Sequence, residues 1–263
     1  FISYKMNRYG EYGNDAPTHF LFFFLISEII QSFDNKNIKF NSNKLLLAIF
    51  IILNKITMAF AIFLPFIFLK KEQFLDIYKN PKFYFSILFL ALWLLKNIIV
   101  SGCVIYPVSQ LCFKDLEWTN INLTKKVSQE NEAWTKAWPE FKNTNNISQV
   151  EYSSKFRWIK TWGNSHLKKI MKILVPYIMV LFAIYLLVNF RHKNKKVLNL
   201  NIYHKKIITL LFLMIAFSII WFLKVPVYRY GYSYFISFFS LLFAYLCTFN
   251  HPLRENFSKF FKF

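Results

Sequence analysis

Apolar positions along this chain are bunched rather than alternating. Five runs, 45–69, 83–100, 170–190, 207–223 and 232–249, reach or approach the ~17–25 residues that carry a helix across a bilayer. A sixth run, 20–33, is shorter and is interrupted by Glu28 and Gln31, which suits an interfacial or re-entrant helix. The pattern predicts an all-α polytopic membrane protein, with about five spanning helices plus one interfacial or short helix, forming a single integral domain over 1–263. Between the second and third runs lies a long polar segment, 101–169. Two of its tryptophan pairs, Trp134/Trp138 and Trp158/Trp162, have the i, i+4 spacing of one helix face, so short helices are expected there.

Composition agrees. The chain is 56% hydrophobic, above the roughly 45–50% of soluble domains. The formal charge of +20 reads as basic residues flanking membrane spans and meeting lipid head groups. No nucleic-acid motif accompanies it. Cys103, Cys112 and Cys247 are too few and scattered for a disulfide framework or zinc site. They read as small buried hydrophobes, with pairing of Cys103 and Cys112 the alternative in an oxidising compartment. The chain begins at Phe1, so it is expected to be a fragment preceded by further spans.

Loop charges orient the helices. The 191–206 connection carries Arg191, Lys193, Lys195, Lys196, Lys205 and Lys206 and no acid, so the positive-inside rule makes it cytoplasmic. The C-terminal tail, with Arg254, Lys259 and Lys262 against Glu255, fits the same side. Counting back, 101–169 is periplasmic, the 70–82 connection cytoplasmic, and loop 34–43 outside. Asp15 would face the cytoplasm if run 20–33 spans, and the outer side if that run lies in the interface. The short run favours the outer side.

Few residues are candidates for chemistry. Lys55 sits near the middle of run 45–69, where a charge costs roughly 2.5–3.5 kcal/mol on insertion scales and must find a partner or a wet cavity. Asn14, Asp15 and Pro17 have the pattern of a helix cap. The same Asp15, with His19 four residues on and Arg8 and Glu11 before it, is also a candidate acid–base cluster. Trp158 and Trp162 are interfacial anchors, a small core, or platforms for a sugar ring. Arg229 in "PVYRYGY" suits bidentate phosphate recognition or a structural ion pair. No P-loop, GxSxG, HExxH or CxxC pair is present, and no metal ligands are assigned.

Three short elements form a recurring pattern: Arg8, Glu11, Tyr12, Gly13 and Asp15 before an apolar helix; Ser101, Gly102, Tyr106 and Pro107 opening a Trp-containing loop; and Pro226, Arg229 and Tyr230 near the end. The chain thereby resembles a large family of bacterial polytopic inner-membrane proteins associated with surface-polysaccharide gene clusters. The resemblance implies an architecture like that of GT-C-type membrane glycosyltransferases, which use polyprenyl-phosphate-linked sugars, or of O-antigen polymerases. It implies an inner-membrane enzyme with membrane lipid, a polyprenyl-linked sugar donor and a saccharide acceptor as partners. Such glycosyltransferases carry an acidic motif in their first outer loop, which here would precede Phe1. Read from the residues themselves, Asp15, His19 and Glu11 are the acid–base candidates of this chain, and Arg8, Lys55, Tyr106, Trp158, Trp162, Arg229 and Tyr230 the candidate substrate contacts. No cofactor is called for, and a divalent cation is left open. The competing readings are a lipid-linked saccharide transporter or flippase, and a non-catalytic assembly subunit.

Overall fold

The computed structural model describes residues 15–33, 42–68, 77–143, 146–191 and 201–249. Arg8 and Glu11, most of loop 34–43, the lysines of 192–200 and the C-terminal tail therefore lie outside the described residues. What is described is all-α: α1 (Asp15–Gln31), α2 (Ser42–Asn54), α3 (Pro81–Ser101), α4 (Ile121–Thr135), α5 (Gln149–Ser154), α6 (Trp158–Trp162), α7 (Lys168–Arg191), α8 (Asn201–Lys224) and α9 (Tyr232–Phe249). A π-turn, Gly163–Leu167, joins α6 to α7, and among the described residues this continuous helix, α3, α8 and α9 are the four long and apolar enough to cross a membrane.

The remaining predicted span, 45–69, is not one helix. It breaks at Lys55, whose backbone is extended (φ −154°, ψ 106°), and continues as a 3-10 segment, Ile56–Phe63. Both ends of the run lie at one end of the bundle. Asn43 accepts from Lys82 Nζ at the start of α3 (2.7 Å), while Phe68 packs edge-on against Phe33. The run is thus a re-entrant hairpin with Lys55 at its tip. An unbroken helix would have left Lys55 without its present partners at mid-depth, and helix breaks inside membranes persist where neighbours satisfy the freed backbone. Here the Tyr234 hydroxyl donates to the Thr57 carbonyl (3.2 Å).

The short helix α1 also differs from expectation. It stands in the bundle instead of lying at its surface, with Phe22, Leu25 and Ile29 buried in the main core beside Leu210, Met214, Phe217 and Tyr234. Its start meets Arg229, and the Phe33 ring beyond its end lies under Lys206, near the start of α8 (4.9 Å). At about 1.5 Å per residue, 17 residues cover roughly 25 Å, close to the thickness of a bilayer core.

The 101–169 segment builds a small cap at the end of the bundle that carries the Tyr228–Gly231 turn. Gly102 ends α3 in the left-handed region (φ 71°), its N–H donating to the Ile98 carbonyl. A disulfide joins Cys103 to Cys112, against the expectation of two buried thiols; paired backbone bonds, Val104 to Leu111 and Phe113 to Gly102, bring the cysteines together. A Cβ on Gly102 would fall 1.7 Å from Thr119 Oγ1. Gly102→Ala should therefore destabilise by roughly 2–5 kcal/mol, from the strained φ and the overpacking together. Gly163→Ala, with open space around its Cβ, should leave the thermal midpoint within a few degrees of wild type.

Candidate functional site

Three segments far apart in sequence deliver charged side chains to one point. α1 opens with Asp15, the hairpin tip presents Lys55, and the short 3-10 turn Tyr228–Gly231 presents Arg229. Lys55 Nζ pairs with Asp15 Oδ1, and Arg229 Nε lies 3.1 Å from Asp15 Oδ2. The Lys55 ammonium also sits 3.6 Å from the centroid of the Tyr230 ring, with the Arg229 guanidinium 5.3 Å from the same ring. The ring face is the negative end of its quadrupole and stabilises both cations. The Asp15 side chain is 4% exposed, that of Lys55 12% and that of Arg229 23%, so the acid lies behind the two cations. An ion pair this deep holds only when well matched, and removing one partner strands the other.

The turn that carries Arg229 is held from three sides. The Trp162 indole N–H donates to the Pro226 carbonyl, the Trp221 indole to the Val227 carbonyl (3.1 Å), and the Tyr228 amide donates to His166 Nδ1 (3.4 Å). A Cβ on Gly231 would come within 2.8 Å of Phe235 and 2.9 Å of Trp221, so only glycine lets the turn pack this closely. Behind Asp15, His19 Nδ1 lies 2.5 Å from Ser233 Oγ. Both residues are fully buried, and the contact fastens α1 to α9 one turn beyond the Asp15–Arg229 pair.

The sequence candidates separate on this geometry. Asp15, Lys55, Arg229 and Tyr230 come together. His19 is beside them, but its ring is closed off by Ser233 and the core. Trp158 and Trp162 are core residues, 1% and 6% exposed; Trp158 packs against Phe222 and Trp162, which leaves no open face for a sugar ring. Tyr106 is 44% exposed on the disulfide-closed loop, and among the described residues no bond or ring contact joins it to the cluster. Arg8 and Glu11 lie outside the described residues. His166, Trp221 and Ser233 were not singled out from the sequence, because each acts through a partner at least six residues away and two of them through partners tens to hundreds of residues away. Among the described residues no group of three or more His, Cys, Asp or Glu side chains is placed to hold a metal.

The cap has its own ionisable centre. Tyr152 OH donates to the Lys136 carbonyl (2.8 Å), and burial raises its phenol above the ordinary value, so it stays a donor. The buried Lys136 ammonium is met by Glu132, by the Ser153 carbonyl (3.1 Å) and by the Trp158 ring (5.3 Å).

Fold and site together define an α-helical polytopic membrane protein with an ionic centre assembled inside its bundle. The chain belongs to the family described as Domain of unknown function (DUF8201), which it matches over residues 13–236, a range that contains the whole Asp15–Lys55–Arg229 cluster. No curated protein and no solved structure matches it.

Proposed function

We propose that this chain is a bacterial inner-membrane enzyme of cell-surface polysaccharide assembly, transferring a sugar from a polyprenyl-phosphate-linked donor to a saccharide acceptor. The observation that carries this reading is the junction of Asp15, Lys55 and Arg229, an acid backed behind two cations within the membrane bundle. Arginine grips phosphate bidentately and lysine adds a point charge. A lipid-linked phosphate at these cations competes with Asp15 for both, and the released carboxylate is then adjacent as a general base. In the transfer, the acceptor hydroxyl gives its proton to Asp15 and its oxygen bonds to the anomeric carbon. The bond from that carbon to the phosphate oxygen breaks, and the lipid phosphate leaves held by Arg229 and Lys55.

Orientation supports the same picture. The basic 191–206 connection favours a cytoplasmic side for the opposite end of the bundle, and a disulfide in the cap suits an oxidising, periplasmic compartment. The break at Lys55 also favours a second reading, a lipid-linked saccharide flippase, because interrupted helices form the substrate sites of many transporters.

The test uses the full-length protein in lipid nanodiscs with radiolabelled polyprenyl-phosphate sugars. Wild type should transfer label to saccharide, and Asp15→Asn should reduce the rate of its folded fraction at least about 100-fold, as expected for loss of a general base. Undiminished transfer by that variant removes Asp15 from the chemistry. Movement of intact donor across a vesicle membrane, with no transfer, supports the flippase instead.

A further inference from the structure

Along the lipid-facing side of α2, away from the ionic cluster, runs an apolar groove of about 370 Å³. Its walls are Leu46, Leu47, Ile49, Phe50 and Leu53 of α2 with Phe89 of α3, and Asn43 stands at its mouth. The wall positions recur every three to four residues, so they form one stripe on α2. From Asn43 to Leu53 is ten residues, or about 15 Å of helix, which is half of a roughly 30 Å hydrocarbon core. The groove therefore has the depth of one leaflet. Only Asn43 brings a polar side chain to it, so water has no partners in its interior. Its volume falls in the range of ligand sites.

The mouth adds a charge. Lys82 Nζ donates to Asn43 Oδ1 (2.7 Å), which is a neutral partner, and among the described residues no carboxylate pairs with this ammonium. A cation at the bilayer boundary beside a leaflet-deep apolar slot has the two-part chemistry of an anionic amphiphile. We propose that the α2–α3 groove is a binding site for an anionic glycerophospholipid, with one acyl chain along Leu46, Phe50 and Leu53 and the headgroup phosphate at Lys82 and Asn43. The occupant enters from the leaflet at the end of the bundle opposite Asp15, so this site is separate from the proposed transfer site and does not depend on it. The lipid supports the hairpin whose tip carries Lys55, because α2 forms one wall of the groove and ends at Asn54, next to that lysine.

Native mass spectrometry of the full chain, released from mild detergent after mixing with equal amounts of phosphatidylglycerol and phosphatidylcholine of identical chains, tests this. Wild type should retain one phosphatidylglycerol at least fivefold over phosphatidylcholine. Lys82→Gln should bring that ratio near one, and Leu46→Trp, which fills the groove, should remove the adduct. Helical circular dichroism confirms that each variant is folded. If Leu46→Trp fails to fold, Phe89→Trp replaces it, and its emission should be quenched by brominated-chain phosphatidylglycerol more than by the brominated phosphatidylcholine. Equal retention of the two lipids by wild type, survival of the preference in either folded variant, or equal quenching by the two brominated lipids overturns the assignment.

Discussion

Replacing Asp15 by asparagine should destabilise the detergent-solubilised protein by about 3–5 kcal/mol, the usual consequence of removing one partner from a buried ion pair. Asp15 is the group that holds Lys55 and Arg229 together. Without its charge two cations face each other over the Tyr230 ring, and a ring quadrupole is worth only about 2 kcal/mol to a desolvated cation. The loss should appear as an earlier midpoint in SDS titration followed by circular dichroism. Lys55→Met in the Asp15→Asn background should then recover part of the loss, because it removes one of the two stranded cations and with it their mutual repulsion. A single variant as stable as wild type would mean that the tip of the hairpin does not depend on this carboxylate.

Trp158→Ala should cost about 3–5 kcal/mol, as truncation of a buried tryptophan does, and its effect should centre on the cap. Trp158 is 1% exposed and touches Phe156, Trp162 and Phe222, with the Lys136 ammonium over its ring. Removing it opens a cavity and takes away a contact from a buried cation. Limited proteolysis should begin within 121–157 at a temperature where wild type resists. Trp134, 55% exposed on α4, is the control; Trp134→Ala should stay within about 0.5 kcal/mol of wild type. If Trp158→Ala leaves the cap intact while weakening saccharide binding, the tryptophan serves a ligand and not the core.

Hydropathy carried the fold a long way, and the places where it stopped have physical causes. Runs 83–100, 170–190, 207–223 and 232–249 became helices within six residues of their predicted bounds because none carries a charged side chain at its centre. Run 45–69 is longer and as apolar except at Asn54 and Lys55, and there the helix breaks. A window average cannot register one lysine that must reach a carboxylate 40 residues earlier. Taking 45–69 as a span and 20–33 as interfacial were two differences of opposite parity. α1 runs through the bundle and the hairpin does not, so Asp15 still arrives at the Arg229 end. The Cys103–Cys112 pairing, the less favoured of the two sequence readings, is missed for another reason: a spacing of nine residues does not reveal the paired backbone bonds that bring its cysteines together.

Of the candidate site, the charged residues were legible, because a lysine inside an apolar run and an aspartate at its edge are conspicuous against such a background. Their partnership was not, since nothing local joins residues 15, 55 and 229. The residues that aim them were less visible still. Trp162 reads from the sequence as an anchor, a core residue or a sugar platform; it is a core residue, and its indole N–H is used on the Pro226 carbonyl, fixing the turn from which Arg229 projects. His19 looked like an acid–base group, and its ring nitrogen is used on Ser233. In both cases the side chain supports the centre from behind.

The central claim is that Asp15 and Arg229, brought from opposite ends of the chain, share one buried ionic contact. A double-mutant cycle measures this directly, using unfolding free energies of wild type, Asp15→Asn, Arg229→Gln and the double variant in the same detergent. The account expects a coupling energy of about 1–3 kcal/mol, the range for residues in one ion-pair network. Additive losses, with coupling near zero, would contradict it.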